Sequence, residues 1–241
     1  MRVFMRLEQL FQQVDHFMSG NTEWDSRAVI STLLEITSIF SRNDLKSEIL
    51  KEIDRHSNVL NKMVGNHNID SVKLNKILNE LARIGEQLYA TPGKIGQSLM
   101  ESELFKSISQ RSSIPGGAFA FDLPAYHYWL QQSEQTRRQE LENWLKPFAV
   151  IRQGVTMLLN FIRQSATPGV EVANAGFFQK TLDHSLPYQI LRVGVERSRP
   201  CFAEISGGKH RFTIRFMSIN GGERPSQATQ DIEFQLTSCI L

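Results

Sequence analysis

Through residue 167 apolar side chains recur at three- and four-residue steps; beyond Pro168 they recur at every second position. The first period lines one stripe of a helix and the second lines one face of a strand. Val3, Leu7, Leu10, Val14 and Phe17 predict a first helix already under way at the start of the sequence. Asp25-Ser26 offers caps for a second helix on Val29, Leu33, Ile36 and Phe40. Asp44 can cap a third on Leu45, Ile49, Ile53, Leu60 and Val64, which Gly65-Asn66 ends. Asp70 opens a fourth with Ile77, Leu81, Ile84 and Leu88 inward, ending near Thr91-Pro92-Gly93. A fifth runs from Gln97 to Gln110 on Leu99, Leu104 and Ile108, and the Ser113-Ile114-Pro115-Gly116-Gly117 link must turn. Asp122 is a cap for a short aromatic helix with Tyr126, Tyr128, Trp129 and Leu130; Ser133 or Thr136 starts another through Leu141 and Trp144.

The stretch Pro147 to Ala166 is the most apolar helix. Phe148, Ile151, Val155, Leu158 and Ile162 form its stripe, and Leu159 and Phe161 widen it, so most of its surface is expected to be buried. Pro147 fits the first turn, and Thr167-Pro168-Gly169 stops the helix. Arg152 and Arg163 return to nearly the same face, about 16 Å apart along the axis. No Asp or Glu occurs between Glu142 and Glu171. Two arginines without a local carboxylate point to an anionic ligand; the alternative is that they reach solvent or pair with distant carboxylates.

In the strand-period region, Leu191, Val193 and Val195 alternate with polar neighbours, as do Phe212, Ile214 and Phe216, and Ile232, Phe234 and Leu236. Each set predicts a half-buried antiparallel strand. Phe177 to Leu182 and Cys201 to Ile205 are weaker strands, with turns at Gly207-Gly208 and Asn220-Gly221-Gly222. The expected class is α+β: a helical bundle domain over 1–167, then a small antiparallel β domain over 168–241. One sheet of about five strands would need its apolar face covered, by a second copy or by the helices.

Charge narrows the function. The chain of 241 residues has a net charge of +2, and the balance holds to within one unit on either side of Thr167. That argues against bulk nucleic-acid binding, which needs a strongly basic face. Cys201 and Cys239 are too far apart for a metal motif, and the six histidines never fall in an H-x-H or H-E-x-x-H arrangement. The Gly207-Gly208-Lys209-His210 stretch lacks the rest of a P-loop, and no nucleophile elbow occurs. The expectation is no enzyme, no catalytic residues, no metal and no cofactor. No signal-peptide pattern opens the chain, and no apolar run is long enough to span a bilayer, which points to a cytoplasmic protein with free thiols.

Three windows hold basic residues and no acidic ones: 104–121 with Lys106 and Arg111, 143–170 with Lys146, Arg152 and Arg163, and 205–222 with Lys209, His210, Arg211 and Arg215. Arg211 and Arg215 share the polar side of their strand, where the plain reading pairs them with Asp231 and Glu233. His127 sits on the aromatic helix, where it serves either the core rim or a ligand.

Specific wording adds to these patterns. Gln110-Arg111-Ser112-Ser113-Ile114-Pro115-Gly116-Gly117, Phe121-Asp122-Leu123-Pro124, His127 and Trp129-Leu130 resemble the signature of the ZapD family of bacterial cell-division proteins. Ile162-Arg163-Gln164-Ser165-Ala166 is similar to a second block, and Lys209 with Arg211-Phe212, Ile214-Arg215-Phe216-Met217 to a third. The resemblance covers essentially the whole chain. It implies a helical domain and a β domain, a symmetric homodimer joined through the β part, and no enzymatic activity. It further implies binding to the C-terminal tail of the tubulin-like protein FtsZ and cross-linking of FtsZ filaments at midcell. Members of the family also carry a short extended segment ahead of the position that aligns with Met1, and Glu103 stands where a relative has arginine. Arg2 and Arg6 match basic positions of the family's first helix. The expected tail-binding cleft uses Arg2, Arg6, Arg111, His127, Arg152 and Arg163, with Lys209, Arg211 and Arg215 as a second patch. A flexible acidic and apolar tail would dock weakly at each site, and many tails per filament would supply avidity. The rival expectation is a nucleic-acid adaptor using the basic face of the β domain, although its phenylalanines fall on the apolar alternation.

Overall fold

In a computed structural model, residues 1–42, 44–65, 70–219 and 224–240 are described. The class is α+β. Among the described residues, eight α-helices come first: α1 (Arg2–Met18), α2 (Glu23–Arg42), α3 (Leu45–Asn61), α4 (Ser71–Ala90), α5 (Glu103–Arg111), α6 (Pro124–Leu130), α7 (Glu134–Leu145) and α8 (Ala149–Gln164). Seven strands follow: β1 (Gly169–Ala173), β2 (Phe177–Thr181), β3 (Tyr188–Gly194), β4 (Cys201–Gly207), β5 (Arg211–Ser218), β6 (Ser226–Gln227) and β7 (Ile232–Ile240). The chain divides into two compact units, Arg2–Leu159 and the part from Asn160 on, so the end of α8 belongs with the strands.

Side-chain caps set most helix starts. Asp44 accepts the Ser47 N–H at 3.3 Å, and Asp70 accepts those of Val72 and Lys73 at 3.0 and 3.1 Å. The second helix begins earlier than Asp25-Ser26 suggested. Thr22 is its cap: its hydroxyl accepts the Asp25 N–H at 3.1 Å, while the Asp25 carboxylate accepts the Thr22 N–H at 3.0 Å. This reciprocal box satisfies two backbone donors, and the Thr22 hydrogen bonds hold the Asp25 carboxyl below its usual range. The expected fifth helix is really two segments, a 3-10 turn at Gln97–Glu101 and then α5, capped by Ser102. No side chain caps α6, where Pro124 takes the first turn and Asp122 instead accepts from Arg111. Ser133 rather than Thr136 caps α7. Val64 is exposed, not inward. The stops placed at Asn66 and at Asn220-Gly221-Gly222 lie outside the described residues.

In the helical unit, Ile151, Val155 and Leu158 of α8 are wholly buried. Gly154 lets α8 approach closely, since a Cβ there would sit 3.3 Å from Ile84 and 3.4 Å from Ile49. Trp144 meets Phe105 edge-on at 5.3 Å and stacks on Trp129 at 5.8 Å, joining α5, α6 and α7. Arg137 is buried without a carboxylate partner among the described residues. Its guanidinium donates to Ser26 Oγ at 3.0 Å, to Asn21 O at 2.7 Å, and to Leu130 O and Gln132 O.

The β unit corrects the single-sheet expectation. One antiparallel sheet has the order β1-β7-β3; the other has β2-β5-β4, with β6 on β5. Phe212, Ile214 and Phe216 of β5 cluster with Ile232, Phe234 and Leu236 of β7. Phe234 lies 5.1 Å from both Phe178 and Phe216. The two sheets therefore cover each other's apolar faces, the arrangement of a small sandwich.

Candidate functional site

Placing β5 and β7 in different sheets settles one alternative. Arg211 and Arg215 do not stand across from Asp231 and Glu233. Their neighbours are Thr181 and Phe177 on β2, with Glu204 on β4 opposite Arg215. The Asp231 carboxylate is engaged elsewhere, accepting the Ala175 N–H at 2.8 Å. Because Phe212, Ile214 and Phe216 point into the core, strand alternation turns Arg211, Thr213, Arg215 and Met217 to the outer face. Lys209, Arg211 and Arg215 are exposed and make no ion pair or side-chain hydrogen bond among the described residues. At the same end, His210 Nδ1 lies 3.0 Å from His184 Nε2. Phe212, Phe216 and Phe234 are buried and cannot serve as stacking platforms for bases, whereas Phe177 and Phe202 are exposed.

The basic residues expected on the helices are in a different state. Arg6 pairs with Glu35, and Arg152 pairs with Asp15 while its guanidinium lies 5.7 Å from the Phe11 ring. Arg111 pairs with Asp122 at 3.2 Å. His127 shares a hydrogen bond with Gln131 at 3.0 Å. Arg2 is exposed with no ion pair among the described residues. Arg163 is not free either, and it lies close enough to bear on the Cys239 thiol, which burial pushes up and Arg192 and Arg163 draw down. The distant-carboxylate reading thus holds for Arg152. These pairs are exposed and contribute under about 1 kcal/mol each, so an incoming carboxylate can replace them.

Sequence reasoning missed a groove where the end of α2 meets the start of α3. Arg42, Lys46 and Lys94 line it with Phe40, Leu45 and Ile95. Lys46 Nζ donates to Thr91 O at 2.7 Å, and Asp44, the carboxylate in the lining, is held by Ser47. Arg42 and Lys46 are neighbours in sequence, but Lys94 comes from a distant stretch, so no single window of sequence displays all three. Among the described residues no group of three or more His, Cys, Asp or Glu could hold a metal ion, and no helix is long and apolar enough to cross a membrane.

Comparison with known proteins decides between these possibilities at the level of family. A family model described as ZapD, cell division protein, matches residues 5–215. The chain belongs to the ZapD family. Cell division protein ZapD of Methylococcus capsulatus is 49% identical over 241 residues, covering all of this chain and 94% of that one. Those of Nitrosomonas europaea and Aromatoleum aromaticum are each 37% identical over 240 residues, covering all of this chain and 91% and 93% of theirs. Membership gives the chain a role in cell division. The ZapD-like blocks fall at defined places: the first runs from the end of α5 through the turn into α6, the second covers the end of α8 and the residues just after it, and the third runs from the turn before β5 along that strand. Gly117 of the first block has a structural reason, since a Cβ there would lie 2.5 Å from the Arg111 carbonyl oxygen.

Proposed function

We propose that this ZapD binds the C-terminal tail of FtsZ and cross-links FtsZ filaments at midcell in the cytoplasm. It acts as a homodimer joined through the β domain, residues 168–241, and as an adaptor without catalysis, cofactor or nucleic-acid ligand. The observation that carries this reading is the outer face of β5. There Arg211 and Arg215 stand exposed, with Lys209 exposed in the turn before the strand; none of the three makes an ion pair among the described residues, and Glu204 stands across from Arg215 without closing on it. A charge left without an intramolecular partner adds little to folding, and it attracts an acidic segment over the Debye length of about 8 Å at physiological salt. The groove of Arg42, Lys46 and Lys94 and the paired arginines Arg6, Arg111 and Arg152, with Arg2, His127 and Arg163, are further contact points for the tail. Two protomers present two such sets, and many tails along each filament turn weak contacts into stable bundles.

Co-sedimentation with polymerised FtsZ tests the reading. The protein pellets with full-length FtsZ and stays in the supernatant when the last residues of FtsZ are removed. Pelleting that ignores the tail sinks it. Arg211→Glu with Arg215→Glu lowers tail-peptide affinity at least tenfold, by loss and reversal of two charges.

A further inference from the structure

The groove of Arg42, Lys46 and Lys94 is more than a row of surface cations. Its volume is about 410 Å³, within the range of small-molecule sites. Three places in the chain meet there: Phe40 and Arg42 at the end of α2, the cap and first two residues of α3, and the segment just past α4 that holds Lys94 and Ile95. Phe40, Leu45 and Ile95 are buried, so the floor is apolar, and Phe40 packs on Phe148 at 5.4 Å between ring centroids. The charged heads are not used up by the fold. Arg42 and Lys94 are exposed and make no ion pair or side-chain hydrogen bond among the described residues. Lys46 Nζ donates to Thr91 O at 2.7 Å, which positions the ammonium and leaves it further N–H donors. The Asp44 carboxylate is turned to Ser47, accepting its N–H at 3.3 Å and its hydroxyl at 2.7 Å. The lining thus sets three positive charges against one negative.

We infer that this groove binds a small organic phosphate with at least two phosphate groups and a flat apolar body, the class of the nucleoside diphosphates. Arg42 offers a planar fork for two phosphate oxygens, and Lys46 and Lys94 add compact point charges. The N-terminal end of α3 contributes a partial charge of the same sign. Charge complementarity selects the polyanion: a surplus of two positive charges is matched by a diphosphate and left half uncompensated by a single carboxylate. The apolar floor of Phe40, Leu45 and Ile95 takes the body of the ligand, the division of labour usual in small-molecule sites. A bilayer fits less well, because a membrane-seated face projects its apolar side chains, whereas here they lie buried beneath the cations. The inference goes beyond the FtsZ reading and stands without it, because the ligand reaches the groove on the free protein.

The test uses the full chain without FtsZ, in magnesium-free buffer near physiological salt. Calorimetric titrations with ADP, GDP, inorganic pyrophosphate and citrate are run on wild type, Lys94→Glu, Arg42→Glu with Lys94→Glu, and a control pair, Lys62→Glu with Lys76→Glu. The control makes the same change in charge at exposed positions outside the groove. Thermal unfolding confirms each fold, and the single variant keeps the test open if the double variant does not fold. The expected result is saturable binding of ADP or GDP, one per protomer, with Kd below about 1 mM. Pyrophosphate, lacking the apolar body, binds about tenfold more weakly. Lys94→Glu weakens the nucleotide about fivefold or more, the double variant about twentyfold or more, and the control pair less than about twofold. Absence of saturation by either nucleotide overturns the inference, as does a folded double variant that binds like wild type. An equal loss in the control pair, or citrate bound as tightly as the nucleotide, overturns it too. Pyrophosphate bound as tightly as the nucleotides overturns the role of the apolar floor. None of these outcomes bears on the tail of FtsZ, so the two readings fail separately.

Discussion

Glu204 and Arg215 stand directly across from each other on β4 and β5, yet form no ion pair among the described residues. A carboxylate held beside a cation without closing on it lowers the local positive potential and leaves the guanidinium open. Glu204→Gln is therefore expected to tighten tail-peptide binding two- to threefold, roughly the size of one screened surface charge. The gain fades as salt is raised. Anisotropy titrations at two ionic strengths check it; a weakened affinity in Glu204→Gln would show that the carboxylate orients Arg215 for its ligand.

Stability falls on mild acidification because of His56. This side chain is wholly inaccessible on α3, and its pKa is lowered to about 4 by burial and then by Arg55, with Glu52 opposing. The unfolded chain binds the proton more readily than the fold does. The stabilisation from the neutral ring is complete above about pH 6.5 and is lost as pH falls through the window down to about 4. The full window is worth up to roughly 3 kcal/mol. Urea unfolding at pH 7 and pH 4.5 measures it, and His56→Leu flattens the difference.

The guanidinium of Arg137 joins the start of α7 to Ser26 of α2 and to three backbone carbonyls. Arg137→Ala would strand those buried acceptors. The expected loss is about 1–3 kcal/mol for each buried acceptor left without a donor. Arg137→Lys recovers little, because one ammonium cannot span acceptors fanned around a planar fork. Thermal unfolding reports both.

Arg152 and Asp15 make a contrasting pair. Both side chains are about half exposed, so Asp15→Asn and Arg152→Gln each cost under about 1 kcal/mol, and the double variant costs little more than either alone. A coupling energy well above that range would mean that the pair is structurally required and unable to release Arg152 to a ligand.

Much of the helical part was legible in the sequence because local rules decide it. Asp44, Asp70 and Ser133 cap as their neighbours suggest, and the stripe through Ile151, Val155 and Leu158 is buried. The misses have physical causes. Thr22 outcompeted Asp25 as a cap because the two side chains satisfy each other's backbone. Ser102 divides a stretch whose apolar spacing reads as one helix. The short strand β1 leaves its alternating valines, Val170 and Val172, exposed and buries Ala173 instead, and a period of two does not say which strand lies beside another. Periodicity alone therefore sets Arg211 and Arg215 against Asp231 and Glu233, and the strand register replaces that pairing with Thr181, Phe177 and Glu204. The groove of Arg42, Lys46 and Lys94 is a tertiary feature for the same reason.

Mutual closure of the two sheets has a consequence for assembly. A strand layer that needed a twin to shield it would exist only in pairs, with folding and pairing a single event. Here the strand core closes within one chain, so folding does not wait on a second copy, and pairing in the proposed dimer is a separate equilibrium set by concentration. Under the proposed function, filament bundling then scales with the amount of protein made, because paired copies form only as concentration rises.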